Sequence, residues 1–250
     1  WNPTQTPSSL VKREGSKYTL SNFRWGFNET GEFKDWTPRT ADTTIDASKV
    51  KDIYLCLEPF APEIVAGHGL LMFEMEDDGA VTSADGQKDV GFCLSIEARR
   101  PKGQEYGLMT GMKKNFGIIY QMGSLSDRIQ KATRGGGQKF VMHRLDLNAE
   151  QKEKLVNDGL QAATEDRLGE WYHTLTNSCY TGDIDLINGV VPDSQKMDRW
   201  TRHLKFARLA TAVPALGGAT IKDKGLLADE PITFINPSAE LHPGKQASNG

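Results

Sequence analysis

The sequence predicts an α+β domain, strands first and helices after, built around an antiparallel sheet. Three observations carry this. The first part of the chain gathers its apolar residues into runs of strand length bounded by turn residues, such as Ile53-Tyr54-Leu55-Cys56-Leu57 and Gly69-Leu70-Leu71-Met72-Phe73. The spacing then becomes helical: Leu155, Leu160 and Ala163 follow Asn148, a good N-cap, over residues 149–164. Ile184, Ile187 and Val191 repeat that spacing behind Ser178, a second candidate N-cap, which makes Cys179 the first residue of a helix.

Residues 1–16, rich in Pro, Ser and Thr, read as a poorly ordered lead-in, residues 17–215 as one domain and residues 216–250 as a C-terminal extension. Residues 17–20 and 22–25 are strand candidates, followed by a polar loop to Lys49 that carries Trp36-Thr37-Pro38. The strand at 53–57 is stopped by Pro59. Residues 69–75 and 90–98 are two strands, and the acidic, Gly-containing connection between them is too long for a tight turn, so it reads as an exposed hairpin loop. Further strands are expected at 117–122 and 139–145. Gly135-Gly136-Gly137 between them is a flexible tip without the strand-to-helix context of a phosphate loop. Beyond Trp200 lies a basic amphipathic piece (Trp200, Leu204, Phe206, Leu209).

At 250 residues the chain can bury a sizeable core. Its apolar fraction is 38%, in runs that never approach the roughly 18 residues of a membrane span. A net charge of −3 and a pI near 6.0 carry no signature of a nucleic-acid binder. The chain begins at Trp1 rather than Met, so it reads as a mature or excised fragment whose signal peptide or anchor has been left out. Three cysteines fit either redox compartment. Cys56 and Cys93 lie in apolar strand-like runs, paired or merely buried, and Cys179 is the odd thiol.

A thiol in the first turn of a helix feels the positive end of the dipole and unpaired backbone N–H groups, which favour the thiolate that attacks carbonyl carbon. A buried structural cysteine is the commoner fate of a free Cys, so the partner decides. His68 heads the strand at 69–75. If that strand pairs antiparallel with 90–98 and Met72 faces Cys93, His68 falls opposite Glu97, about 5 Å away at Cβ. A carboxylate there accepts the imidazole N–H, fixes its tautomer and stabilises the imidazolium. Cys179, His68 and Glu97 then take the nucleophile, base and orienting roles of a thiol acyl-transfer site. The bland alternative for Glu97 is a surface ion pair with Arg99, Arg100 or a lysine. The oxyanion falls to the Cys179 N–H and one further donor, Tyr172 or Asn177, with His173 bordering the same site. His143, His203 and His242 are weaker candidates. There is no Cys-x-x-Cys and no His-x-x-x-His, so no metal or other cofactor is expected. Glu74, Glu76, Asp77 and Asp78 lack the ligand order of a calcium loop.

Six short motifs in order carry a resemblance. Asn22-Phe23-Arg24, the strand from Ile53 ending in Glu58-Pro59-Phe60, His68-Gly69-Leu70-Leu71-Met72-Phe73 and Ser95-Ile96-Glu97-Ala98-Arg99-Arg100 with Gly103-Gln104-Glu105-Tyr106 behind it are four of them. Ser126-Asp127-Arg128 and Tyr172-His173-Thr174-Leu175-Thr176-Asn177-Ser178-Cys179 complete the set. Over roughly residues 20–192 the chain resembles the Lnb N-terminal periplasmic domain family. The resemblance implies a bacterial extracytoplasmic, periplasmic domain with a permuted papain-like (NlpC/P60-like) thiol fold, the histidine strand first and the cysteine helix last. It also implies lipoprotein N-acyltransferase chemistry: an acyl chain moves from a phospholipid-type donor to the terminal amine of a lipoprotein-type acceptor. His68, Glu97 and Cys179 match the family's histidine, glutamate and helix-start cysteine. The lecithin:retinol acyltransferase group is similar in its Asn-Cys at a helix start.

The chain departs from the family pattern in reading Asn177-Ser178-Cys179-Tyr180-Thr181 where Asn-Asn-Cys-Thr-Thr is usual, with Tyr180 adding bulk beside the nucleophile. The Asp-Glu-Arg-Asp element is reduced to Ser124-Leu125-Ser126-Asp127-Arg128, and no membrane span follows. The expected function is thus an envelope thiol acyltransferase or hydrolase acting on a phospholipid or lipoprotein-type substrate, with peripheral membrane contact and no nucleic-acid partner. An envelope cysteine amidase or peptidase uses the same residues, and an inactive scaffold or binding domain keeps only the fold.

Overall fold

The computed structural model describes residues 1–30, 32–59, 67–77, 79–107, 109–133, 140–197 and 217–234. The expected Gly135–Gly137 tip, the amphipathic piece after Trp200, His203, His242 and Asp78 lie outside them. The strands are β1 (Ser9–Glu14), β2 (Lys17–Ser21), β3 (Arg24–Glu29), β4 (Glu32–Pro38), β5 (Thr43–Asp46), β6 (Val50–Pro59), β7 (Gly67–Met75), β8 (Val81–Ser83), β9 (Lys88–Asp89), β10 (Gly91–Arg99), β11 (Gly117–Ser124), β12 (Phe140–Arg144) and β13 (Ile232–Phe234). The helices are α1 (Leu125–Thr133), α2 (Ala149–Thr164), α3 (Cys179–Asn188) and α4 (Gly217–Asp223). The class is α+β, with mostly antiparallel sheets and few helices.

The main sheet runs β13-β12-β6-β7-β10-β11-β3-β4, and β11 meets β3 in parallel at Gly123 and Arg24. Its central strands are buried on both faces, which is why β7 reads as an almost unbroken apolar run. Period-2 alternation still sorts the side chains. Leu70 and Met72 pack with Cys56, Cys93 and the α1 residues Leu125, Ile129 and Ala132. Leu71 and Phe73 join Leu155 and Leu160 of α2 and Ile184 and Ile187 of α3 in the larger core. The sheet is therefore sandwiched between α1 and the α2–α3 pair. Met72 faces Cys93 in the β7–β10 ladder, the register expected from the sequence. Helix α2 begins as expected at Asn148, whose side chain accepts the Gln151 N–H at 2.9 Å while Gln151 Oε1 accepts the Asn148 N–H at 2.9 Å. This capping box is worth on the order of 1 kcal/mol.

Four readings need correction. Residues 1–16 are not a loose lead-in. β1 pairs with β2, and the Gln5 amide bonds the Ala98 carbonyl and the Arg100 N–H at 2.9 and 2.6 Å, tying the start of the chain to β10. The polar loop expected up to Lys49 is the β3–β4 hairpin followed by β5, in which buried Trp36, Thr43 and Ile45 alternate with more exposed polar residues. The 76–89 connection contains β8 and β9, which complete a second sheet in the order β1-β2-β5-β8-β9 around buried Val81. Finally, the segment after β11 is helix α1, not expected from the sequence. Its Asp127 carboxylate accepts the Gly26 N–H at 2.7 Å, and a Cβ on Gly26 would stand 2.3 Å from that carboxylate, so only glycine fits there.

Candidate active site

Two elements from opposite faces of the main sheet meet at the start of β7. His68 shares the α1 face with Ser95 and Glu97, and Cys179 heads α3 on the other face, packed on Ile96 and Ala98. Ser178 takes the N-cap position in extended backbone (φ −121°, ψ 178°), and its N–H is held by the Thr181 hydroxyl at 2.8 Å. Cys179 therefore starts the helix as expected, where unpaired backbone N–H groups favour negative charge.

The imidazole is oriented by two residues. His68 Nε2 lies 2.7 Å from Ser95 Oγ and 3.3 Å from Glu97 Oε1, and the Ser95 hydroxyl donates to the same carboxylate oxygen at 2.9 Å. Because Ser95 spends its hydrogen on Glu97, its lone pairs face the ring and accept from His68 Nε2–H. That fixes the tautomer and leaves Nδ1 as the ring nitrogen without one of these partners, in the cavity that His68 lines together with Cys179.

The charges follow. Burial pushes the Cys179 thiol up, but the facing imidazole and the Gly69 N–H outweigh it and hold the thiol below its ordinary value. Burial pushes His68 down, and Glu97 together with the sulfur lifts it well above its ordinary value. Burial raises Glu97, but His68 outweighs that and depresses the carboxyl far below the usual range. The pair is thus a thiolate facing an imidazolium that is backed by a carboxylate.

The Tyr172 hydroxyl lies 3.8 Å from Cys179 Sγ and donates to it. Burial raises this phenol well above its ordinary value and the sulfur adds to the effect, so it stays a proton donor. Asn177 and His173, expected to line the site, do not. They close a tight turn in which each backbone N–H bonds the other's carbonyl at 2.9 Å. The Asn177 amide bonds the Trp171 carbonyl, and the His173 ring accepts the Leu175 N–H. Tyr180 is buried in the larger core with its hydroxyl turned to Thr220. Cys56 and Cys93 are free, buried thiols whose pKa values burial raises. His143 is buried in β12, where burial lowers its pKa.

A cavity of about 340 Å³ opens on the thiol, lined by His68, Glu97, Tyr106, Tyr172, Thr174 and Cys179 among others. Three cations, Arg100, Arg128 and Lys131, and the carboxylate of Glu58 complete a wall of mixed polar and apolar character. Among the described residues no group of three or more His, Cys, Asp or Glu side chains is arranged to hold a metal ion.

Sequence reasoning missed three parts of this arrangement. Ser95 was legible in principle, since it shares a face of β10 with Glu97. Gly69 was legible less directly: its N–H reaches the sulfur, and a Cβ there would stand 3.0 Å from Asp183 Oδ2. Asp183 was not legible. It lies one turn after Cys179, fully buried, with neither carboxylate oxygen bonded to a described residue. Burial raises its pKa well above the ordinary value, and the sulfur adds to that.

Residues 36–211 match the family described as the Lnb N-terminal periplasmic domain. That is well over half of the chain and includes both the His68 strand and the Cys179 helix. The chain belongs to the Lnb N-terminal periplasmic domain family. It is accordingly an extracytoplasmic, periplasmic domain. No curated protein and no solved structure matches it. No helix of this Lnb-family domain is long and apolar enough, among the described residues, to cross a membrane.

Proposed function

We propose that this Lnb-family domain is a thiol-dependent acyltransferase or hydrolase of the bacterial envelope, with Cys179 as nucleophile, His68 as base and acid, and Glu97 as orienting carboxylate. The single observation that carries the reading is that Cys179, at the start of a helix, lines one cavity with an imidazole held by Ser95 and Glu97. A histidine strand preceding a cysteine helix also suits a permuted papain-like fold. Cys179 thiolate attacks an ester carbonyl, and the oxyanion is received by the Cys179 N–H and the Tyr172 hydroxyl. Collapse breaks the C–O bond, and the leaving alcohol takes the proton held on His68. An amine of a lipoprotein-type acceptor, or water, then attacks the thioester, gives its proton to His68 and releases the thiolate. No cofactor enters these steps. An exposed apolar rim of Trp1, Leu168 and Trp171, next in sequence to the Tyr172 wall, favours peripheral contact with a lipid surface.

The second reading, an envelope amidase or peptidase, is favoured by the charged side chains on the mixed wall of the cavity, since an acyl chain prefers a long apolar slot. Product analysis separates the readings. The protein is incubated with a short-chain phospholipid and an N-terminal lipopeptide amine, and in parallel with envelope peptides. The acyl reading requires acylated peptide or free fatty acid that disappears in Cys179→Ala. Cleavage of an amide bond with no acyl product gives the second reading, and turnover of neither substrate class leaves an inactive scaffold.

A further inference from the structure

The cavity carries more positive charge than the thiol chemistry uses. Arg128 and Lys131 stand three positions apart on α1, so they share a face of that helix. Both cations lie over the Trp36 ring, the guanidinium at 5.9 Å and the ammonium at 5.3 Å. Arg128 is 3% exposed and is paired with Glu58 through Nη2. Glu97 is taken up by His68 and Ser95. Among the described residues Arg100 pairs with Glu105, a carboxylate 89% exposed, at 2.9 Å. Lys131 has no carboxylate within ion-pair distance among the described residues, and it lines the same cavity as Cys179. Burial and the neighbouring guanidinium lower its pKa against the opposing carboxylates of Glu97 and Glu58, although the residue keeps an exposed surface. A like-charge pair facing a cavity without a carboxylate for the second cation is an arrangement that an incoming anion relieves.

We propose that Lys131, backed by Arg128 and flanked by Arg100, is an anion subsite that takes the phosphodiester of a phospholipid acyl donor while its ester carbonyl sits at Cys179. The assignment of the anion to a phospholipid rests on the acyl-transfer reading above. A short glycerol link separates ester from phosphate in such a donor, so one cavity holds both. The subsite selects anionic phospholipids over neutral diacylglycerols and sets the reacting carbonyl by a contact remote from it.

Two measurements test this. In the first, Cys179 is alkylated with iodoacetate and with iodoacetamide, and the ratio of the two rates is followed. Both reagents meet the same thiolate, so changes in the thiol pKa cancel. Lys131→Met is expected to lower the iodoacetate preference about fivefold or more, and Lys131→Arg to restore it. A ratio unchanged in Lys131→Met overturns the subsite. The second measurement needs no reactive thiol, so it separates failure of the subsite from failure of the nucleophile. Isothermal titration calorimetry follows titration with short-chain phosphatidylglycerol and with the matching diacylglycerol. A several-fold preference for the phospholipid, lost in Lys131→Met, supports the subsite, and equal affinities overturn it. Inorganic phosphate binding as tightly as the lipid, or an acidic peptide binding more tightly, assigns the cations to another anion and overturns the phosphodiester.

Discussion

Replacing His68 with Ala tests how the thiol is tuned. The side chain is 15% exposed and contributes little core packing, so the fold is expected to survive. Burial raises the Cys179 pKa, and the imidazole is the first of the contacts that oppose it. Without the ring, the Gly69 N–H and the helix terminus remain. The terminus supplies about 0.3–1 kcal/mol, less than one pKa unit at about 1.36 kcal/mol per unit. A thiol at its ordinary pKa near 8.5 is about 0.3% thiolate at pH 6, and unopposed burial takes it lower. Part of the loss is offset because a more basic thiolate is the better nucleophile. The iodoacetamide rate at Cys179 at pH 6 is therefore expected to fall at least about tenfold in His68→Ala, with the gap closing toward alkaline pH. Peptide-resolved mass spectrometry reads the rate, with buried Cys56 and Cys93 as internal references. Equal rates for mutant and wild type at pH 6 would refute activation by His68 and favour the scaffold reading.

Other outcomes follow from the same geometry. Tyr172→Phe removes a hydroxyl that donates to the sulfur and is placed to receive the oxyanion, and is expected to lower kcat by roughly 100-fold with little change in KM, read from steady-state kinetics. Glu97 is depressed in the folded state, so its contribution to stability is present above its unfolded pKa near 4.3 and is lost as pH falls below that. Urea denaturation of Glu97→Gln should show a flatter acid limb than wild type. Asp183 is raised in the folded state, so wild-type stability should fall as pH rises above the unfolded carboxyl pKa near 3.9, and Asp183→Asn should remove that slope. Gly69→Ala places a methyl 3.0 Å from Asp183 Oδ2 and 3.5 Å from Tyr180 Cα, and overpacking of that kind costs about 1–3 kcal/mol in thermal or chemical unfolding.

The parts of the fold legible in the sequence were those with strong periodicity. β7 and β10 could be paired in register because their apolar runs are long and Met72–Cys93 offers one sensible alignment, and that register brought Glu97 to His68. α2 and α3 declared themselves through Asn148 and Ser178. The second sheet was hidden because β1, β8 and β9 are short or polar, so that only Val81 and a few neighbours carry the pattern. Helix α1 escaped because its buried apolar residues, Leu125, Ile129 and Ala132, are few and follow a strand without a break. At the site, Tyr172 was legible as a neighbour of the thiol, whereas Asn177 and His173 misled because a turn consumes their polar groups internally. Asp183 was illegible in principle, since a carboxylate in a helix ordinarily faces water.

The central claim, that Cys179 carries the acyl group, is tested most directly by trapping it. The protein is incubated with a short-chain phospholipid, quenched in acid and digested, and the peptide containing Cys179 is examined by mass spectrometry. The account predicts an added acyl mass on that peptide that hydroxylamine removes, and that is absent in Cys179→Ala and greatly reduced in His68→Ala. An acyl mass on another residue, or its persistence in Cys179→Ala, would contradict it.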